Sequence, residues 1–522
     1  MKYFIALFFL IVHLVSLPAQ NPFVVWTKTL GSSQYDYASA ITVTNDNKYL
    51  VVGNSFSISG NGLPDGDFPL SRGNQDVWLV KLDENGSVLW KKNYGGSGGE
   101  FIFCINPTSD NGFIMIGATT SADGDATENK GKGDVWVVKI DSVGTVQWQK
   151  TIGGSENELG QSILQLSNGD YILGLYSLSN DKDLPINKGK YDVWVIKLNS
   201  QGNIIWKKNI GGSDDDEIAQ ITAIDNKTVA IAGSSSSTDG DMVGVLGDYS
   251  LKMDTAGNIL WKRSFGYYND TISSLRYSYA VTMNQKDLVF AGMRIVPNFS
   301  PNATLPYSWD FLITKSDTAG RRKWSKLYGG SDTESPRGIH SLPNGDIVVT
   351  GYTLSSDSII RDNHGDLDFW ILRLDSLGNL KDAHCFGGTK KDRAKGSIID
   401  KKGNVIIIGD TDSSDGTFPQ NKGLFDWAIL KLNYGITNTQ ETTIETINIV
   451  ESPNPVLDRL TIQIKSNSQP HLRLYNITGT LVYQQQNLNP TTTIDMSSFP
   501  SGFYLLSYQI GHQYACRKIF KL

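Results

Sequence analysis

The chain has 522 residues, including 52 Gly, 12 Trp and 22 Tyr, and only 19% of its residues are charged. The net charge is −6 with no basic cluster, which argues against nucleic acid or an anionic membrane surface as a partner. Cys104, Cys385 and Cys516 are too few and too scattered for a disulfide framework or a zinc site, so stability has to come from apolar cores.

Residues 1–20 read as a secretory signal peptide. Met1-Lys2-Tyr3 is a short basic start, and residues 5–15 are an apolar run too short to span a bilayer comfortably. Leu17-Pro18-Ala19-Gln20 offers a small residue for cleavage, with no Cys nearby to carry a lipid. No later stretch is apolar enough to cross a bilayer, so no transmembrane segment is expected once the signal is removed.

Residues 21–433 are built on a repeat. An Asp opens a strand at Asp76, Asp134, Asp192, Asp248, Asp310, Asp368 and Asp426, at intervals of 58, 58, 56, 62, 58 and 58 residues. The clearest copies read DVWLVKLDENGSVLWKKNYGG, DVWVVKIDSVGTVQWQKTIGG and DVWVIKLNSQGNIIWKKNIGG. A fixed period of this length means stacked or circularly arranged units. Each unit spells four short strands with hairpin turns, the blade of a β-propeller. The ends are complementary. Residues 23–28, carrying Trp26, form a fourth strand with no preceding three, and residues 426–432 form a third strand with no fourth. The expected fold is therefore all-β: a seven-bladed propeller closed by the N-terminal strand, which hides edges that an open array would expose. If first strands line the channel, the Gly-Gly-Ser segments and the long Asp-rich loops share one face, and function is expected there.

Candidate chemistry within the repeat competes with structural roles. Five residues after the Gly that ends six of the seven fourth strands comes an acid: Asp36, Glu100, Glu158, Asp216, Glu334 or Asp392. These are expected to accept backbone N–H bonds in a turn rather than to form a cation ring. A second set, Asp65, Asp123, Asp181, Asp239, Asp357 and Asp415, precedes the anchors in Asp-Gly-Asp-like loops. Such spacing suits calcium, but the final bidentate Glu is missing and Phe299 breaks the series, so no cofactor is expected and Asx turns are the favoured reading. Trp90, Trp148, Trp261 and Trp324 follow a hairpin D-x-x-G-x-x-x-W, with Asn199 for the Asp before Trp206, that is similar to the tryptophan-docking motif of quinoprotein propellers; Trp26 holds the equivalent place on the N-terminal strand. The resemblance implies that each Trp locks neighbouring blades. Asp382 replaces it in the sixth unit.

No nucleophile elbow or phosphate loop is present, and His340, His364 and His384 lack metal-ligand spacing. The regularity fails around the fourth and fifth units, where Tyr267 and Tyr268 replace the usual Gly-Gly-Ser. There Phe299, Tyr307 and Trp309 occupy an extended loop without the Asp-Gly-Asp. Clustered aromatics of this kind make stacking platforms for sugars or anchors for protein partners, so these five residues are the candidate ligand site.

After a polar, Thr-rich linker at 434–450, residues 451–522 change texture to alternating apolar residues among Pro, Asn and Gly, the pattern of a small β-sandwich. Pro453-Asn454-Pro455, Asp458, Leu474-Tyr475-Asn476 with Gly479, Ile494-Asp495, Gly502 with Tyr504, and the basic end from Lys518 to Lys521 resemble the C-terminal sorting domain of the Bacteroidetes-type type IX secretion system. That resemblance implies type IX machinery as a partner and a secreted or cell-surface location. The expected function is a non-catalytic binding or scaffold module for a glycan or protein ligand; the alternative is a secreted propeller hydrolase or lyase acting on polysaccharide.

Overall fold

In a computed structural model, residues 23–56, 66–68, 71–265, 278–297, 307–433, 448–452, 455–465, 471–476, 480–485, 491–510 and 513–522 are described. Two compact units divide the chain at Thr437. Among the described residues the first unit holds seven four-stranded antiparallel sheets and one 3-10 turn, Gly240–Met242.

The first strand of the chain, β1 (Val24–Leu30), stands apart from those that follow it. Next come β2 (Asp36–Val43), β3 (Tyr49–Ser55), β4 (Asp76–Leu82) and β5 (Val88–Tyr94), which make sheet one in chain order. Sheets two to six repeat this plan over residues 100–152, 158–210, 216–264, 278–328 and 334–386. Sheet seven takes its first three strands from residues 392–432 and its fourth from β1. The register runs from Val24 opposite Leu432 to Leu30 opposite Trp427, which is the pairing expected from the complementary ends.

The two middle strands of each sheet are apolar on both faces because sheets pack against sheets. All of β3 and nearly all of β4 is buried, whereas β5 is mostly half-buried. Seven apolar cores result, each filling the space between consecutive sheets. One of them joins the last sheet to the first, setting Ile406, Ile408, Trp427 and Ile429 against Tyr49, Val51, Trp78 and Val80.

The repeated tryptophans sit between sheets. Trp26 of sheet seven lies against Gly86 of sheet one and donates Nε1–H to the Glu84 carbonyl at 2.9 Å. Trp206, Trp261 and Trp324 likewise donate to Thr255, Thr318 and Ser376 of the following sheet. Trp90 and Trp148 pack against Gly144 and Gly202. These hairpin glycines have φ near +80°, as at Gly86 (81°) and Gly144 (79°), and a Cβ there would press on the indole. The tight turn and the docked ring thus demand the same residue.

Among the described residues the second unit contains two sheets. One orders Asn448–Ser452, Arg459–Lys465 and Thr491–Asp495; the other orders Leu481–Gln485, His471–Asn476, Gly502–Ile510 and Gln513–Lys521. Both contribute to one core, in which Leu460, Ile462 and Ile494 meet Leu472, Leu474, Tyr504, Leu506 and Ile519.

Candidate functional site

The repeated acids are occupied by the backbone. Four residues before each first-strand acid an amide donates to it: Ser32 to Asp36, Gly96 to Glu100, Gly154 to Glu158, Gly212 to Asp216, Gly330 to Glu334 and Gly388 to Asp392, at 2.6–3.0 Å. Hydroxyls from the second strand and the loop after it add to this; Glu158 also accepts from Ser177 (2.8 Å) and Ser179 (2.6 Å). Anchors Asp76, Asp134, Asp192, Asp368 and Asp426 are buried and accept the amides of Arg72, Lys130, Lys188, His364 and Lys422. The anchor explains the Gly that ends the fourth strand, since a Cβ on Gly95 would lie 2.7 Å from Asp76 Oδ1 and 2.5 Å from Glu100 Oε2. One anchor departs from the pattern: Asp310 is only half-buried and accepts from Ser308 Oγ, whereas Asp248 is buried like the others.

The Asp-Gly-Asp loops are latches between sheets. Asp123 accepts the Ser97 amide and Asp125 the Gly95 amide, both from the preceding sheet. Asp181, Asp239, Asp357 and Asp415 do the same to Ser155, Ser213, Ser331 and Thr389. Asp67 of sheet one accepts the Gly31 amide beside sheet seven, and Asp65 lies outside the described residues. These carboxylates already have donors, and among the described residues no group of three or more His, Cys, Asp or Glu is placed to hold a metal ion.

Desolvation is the leading influence on many of these carboxyls. Burial raises Glu334, Asp392 and Asp426 to about 7 and Asp310 to about 6.

A cavity of about 940 Å3 is lined by the first strands of sheets one, two, three, four, six and seven. Every first strand has a bulge at the same point, where one residue is skipped in the register: Ser39, Phe103, Gln161, Ala219, Tyr279, Arg337 and Lys395. A bulge re-aims side chains, and Ser39, Phe103, Gln161, Ala219, Arg337 and Lys395 line the cavity.

Its walls differ. On sheets six and seven, Arg337 lies 5.4 Å from the centre of the Tyr352 ring and donates to its hydroxyl at 3.2 Å. Arg393 lies 4.5 Å from the centre of the Phe425 ring and pairs with buried Asp410 at 2.5 Å, while Lys395 Nζ stands 3.6 Å from the other Asp410 oxygen. Tyr35, Tyr37, Phe56 and Phe425 cluster beside Arg393 at the junction of sheets seven and one. On sheet two, Phe101 and Phe103 are exposed with rings parallel to within 4°. Farther along, His340 Nε2 is 2.9 Å from Ser397 Oγ, and desolvation lowers its pKa to about 4, so it is neutral at physiological pH.

The aromatic site expected from the sequence is placed in part. Tyr307 and Trp309 do not belong to a loop; they begin a strand, Tyr307–Asp317, paired with Asp287–Pro297 in a hairpin longer than its counterparts. Both are half-buried. Phe299, Tyr267 and Tyr268 lie outside the described residues, as do Pro453, Asn454 and Gly479 of the tail motif. Pro455 is exposed, and Gly502 and Lys518 fall on the paired strands Gly502–Ile510 and Gln513–Lys521. The cavity wall is what the sequence does not disclose. Aligning the seven units and asking which first-strand columns vary would have exposed it.

Residues 452–521 match the family profile described as the secretion system C-terminal sorting domain. A tail of this kind engages the type IX machinery, and the protein is directed to the cell surface or the extracellular space. Among the described residues no helix is long and apolar enough to cross a membrane. No curated protein matches the sequence. Among solved structures, the alpha-L-arabinofuranosidase Arb93A from Fusarium graminearum, in complex with an iminosugar inhibitor, is similar at 10% identity, covering 77% of this chain and 96% of its own, with a TM-score of 0.39. The Neurospora crassa Pan2 WD40 domain is 11% identical over 62% and 91%, with a TM-score of 0.34. NanB in complex with optactamide is 9% identical over 81% and 72%, with a TM-score of 0.39. Likenesses this remote bear on no activity here.

Proposed function

We propose that this is a secreted or cell-surface binding or scaffold module without catalytic activity, recognising a glycan or protein ligand. In this reading residues 21–433 form a closed seven-bladed β-propeller behind a signal peptide at 1–20. A linker at 434–450 leads to a small β-sandwich at 451–522 that serves Bacteroidetes-type type IX export. Closure is supported by the β1 pairing, the docking of Trp26 on sheet one and the apolar core between the last and first sheets. Such a ring leaves no sheet edge open.

The observation that carries binding over catalysis is the composition of the channel. Among the described residues lining the cavity there is no Asp or Glu, whereas glycoside hydrolysis ordinarily needs two carboxyl groups facing one bond. Aromatic rings and amide side chains line it instead, groups that bind without reacting. The hydrolase or lyase reading draws support from one observation, the unlike polar groups Tyr37, Arg337, Arg393 and Lys395 that line the cavity, with Tyr352 bonded to Arg337. A glycan array with the purified protein, with and without chelator, tests the proposal. Saturable binding unchanged by chelator and without release of new reducing ends is expected. Cleavage of a bound polysaccharide would overturn it.

A further inference from the structure

The protein carries a net charge of −6, yet three cations and no carboxylate occur among the described residues lining its large cavity. Arg337, Arg393 and Lys395 come from neighbouring first strands of sheets six and seven and share one wall. Asp410, behind that wall, is fully buried and spends one oxygen on Arg393 and the other on Lys395. One carboxylate therefore stands against two cations there, with Arg337 adding a third charge beside Tyr352. The phenol of Tyr352 registers this field. Its burial favours the neutral form, but the charges of Arg337 and Lys395 help to bring it below its ordinary value. Concentrating like charge in a concave, partly desolvated wall costs free energy that a bound anion recovers.

Across the cavity the chemistry changes to that of sugar recognition. Phe101 and Phe103 present parallel exposed rings on which a pyranose face can stack, and Gln161 adds an amide that can donate and accept, whereas the Gln165 amide and the Gln220 oxygen are already bonded within the protein. Bulges place Phe103, Gln161, Arg337 and Lys395 at one level of the channel, so a ligand entering it meets rings, amides and cations together.

Building on the binding-module reading, we infer that the channel is a site for an acidic carbohydrate, its carboxylate or sulfate held by Arg337, Arg393 and Lys395 and its ring stacked on Phe101 and Phe103. Calorimetry on the full chain tests this with three probes: an oligogalacturonate, a chondroitin sulfate oligosaccharide and a neutral cello-oligosaccharide of matched length, with inorganic sulfate alone as a fourth arm. At least one acidic oligosaccharide should bind, more weakly as salt rises, and the neutral one should bind at least tenfold less tightly. Lys395→Met and Arg337→Gln should each weaken the acidic ligand about tenfold, and Phe101→Ala should weaken it without changing the salt dependence. Lys395→Met keeps the aliphatic stem in place, and an unchanged melting temperature would show that fold is not the cause. Equal binding of acidic and neutral probes, unchanged affinity in both cation variants, or sulfate binding as tightly as the oligosaccharides would overturn the inference. The broader reading fails separately. Neutral glycan binding indifferent to both cation variants would leave a binding module with its site elsewhere, whereas cleavage of an acidic probe would remove the non-catalytic reading and keep the anion site.

Discussion

A buried carboxyl that prefers its neutral form makes stability depend on pH. Glu334, Asp392 and Asp426 are raised to about 7 by burial, against ordinary values near 4. Between those limits the folded protein binds more protons than the unfolded chain, so their contribution is full below about pH 4 and is lost as pH rises through 7. His340 works the other way. Its contribution is present above about 6.5 and is lost as pH falls through 4. Three acids outweigh one base over the shared range, so the repeat unit is expected to melt higher at pH 5.5 than at pH 8 in calorimetric scans; a lower melting temperature at pH 5.5 would contradict this. At Trp309 the half-buried ring makes a second expectation. If it packs on its own sheet, Trp309→Ala should cost about 3 kcal/mol in urea denaturation; if it is a ligand anchor, stability should hold and about 2 kcal/mol of affinity should go. Residues present in every unit were legible from their spacing, because a column that builds the turn or the latch must repeat. The channel residues were not. Ser39, Phe103, Gln161, Arg337 and Lys395 share a position but no chemistry, and a ligand-facing column has no reason to be periodic.

At the level of elements, the four-strand unit and its hairpin turns follow from alternation and Gly placement. The bulge in each first strand left no trace, since Ala-Ser-Ala, Ile-Phe-Cys and Ala-Lys-Gly carry no common marker. In sheet five Pro297 and the polar residues after it look like punctuation, so the sequence points to a loop where the structure has a long hairpin. Pro297 instead ends its strand, and Arg294-Ile295-Val296 pairs with Ser308-Trp309-Asp310. The element with the largest expected effect is β1. It fills the edge of the Asp426–Leu432 strand and brings Leu30 and Trp26 into the core between sheets seven and one. Deleting residues 21–31 should lower the melting temperature by well over 10 °C and broaden the transition, because an entire strand and a docked Trp are lost together. A variant that melts like the full-length protein would show that β1 contributes little.

On the scale of the whole chain, the repeat and the tail are separate compact units that meet near Thr437 in sequence. Each has its own apolar core, which is the condition for folding alone. Limited proteolysis between residues 434 and 447 is therefore expected to release a repeat unit with unchanged melting. A chain ending at residue 450 should fold but fail to reach the cell surface, because the sorting domain at 452–521 is gone. Normal surface delivery of that truncation, followed by whole-cell labelling, would contradict the assignment.

The pairing of β1 with the last strand also sets a clock. Leu30 is made first and its partner Trp427 about 400 residues later, a delay of roughly 20–80 s at ordinary rates of synthesis. Throughout that time the earliest strand has no correct mate in its own chain, while six sheets are completed one after another. Crowded nascent chains can exchange such a strand, so the same pairing that completes the seventh sheet offers the simplest route to an interlocked pair. Expression at high level should yield a strand-swapped dimer that slows in size-exclusion chromatography only after unfolding and dilute refolding.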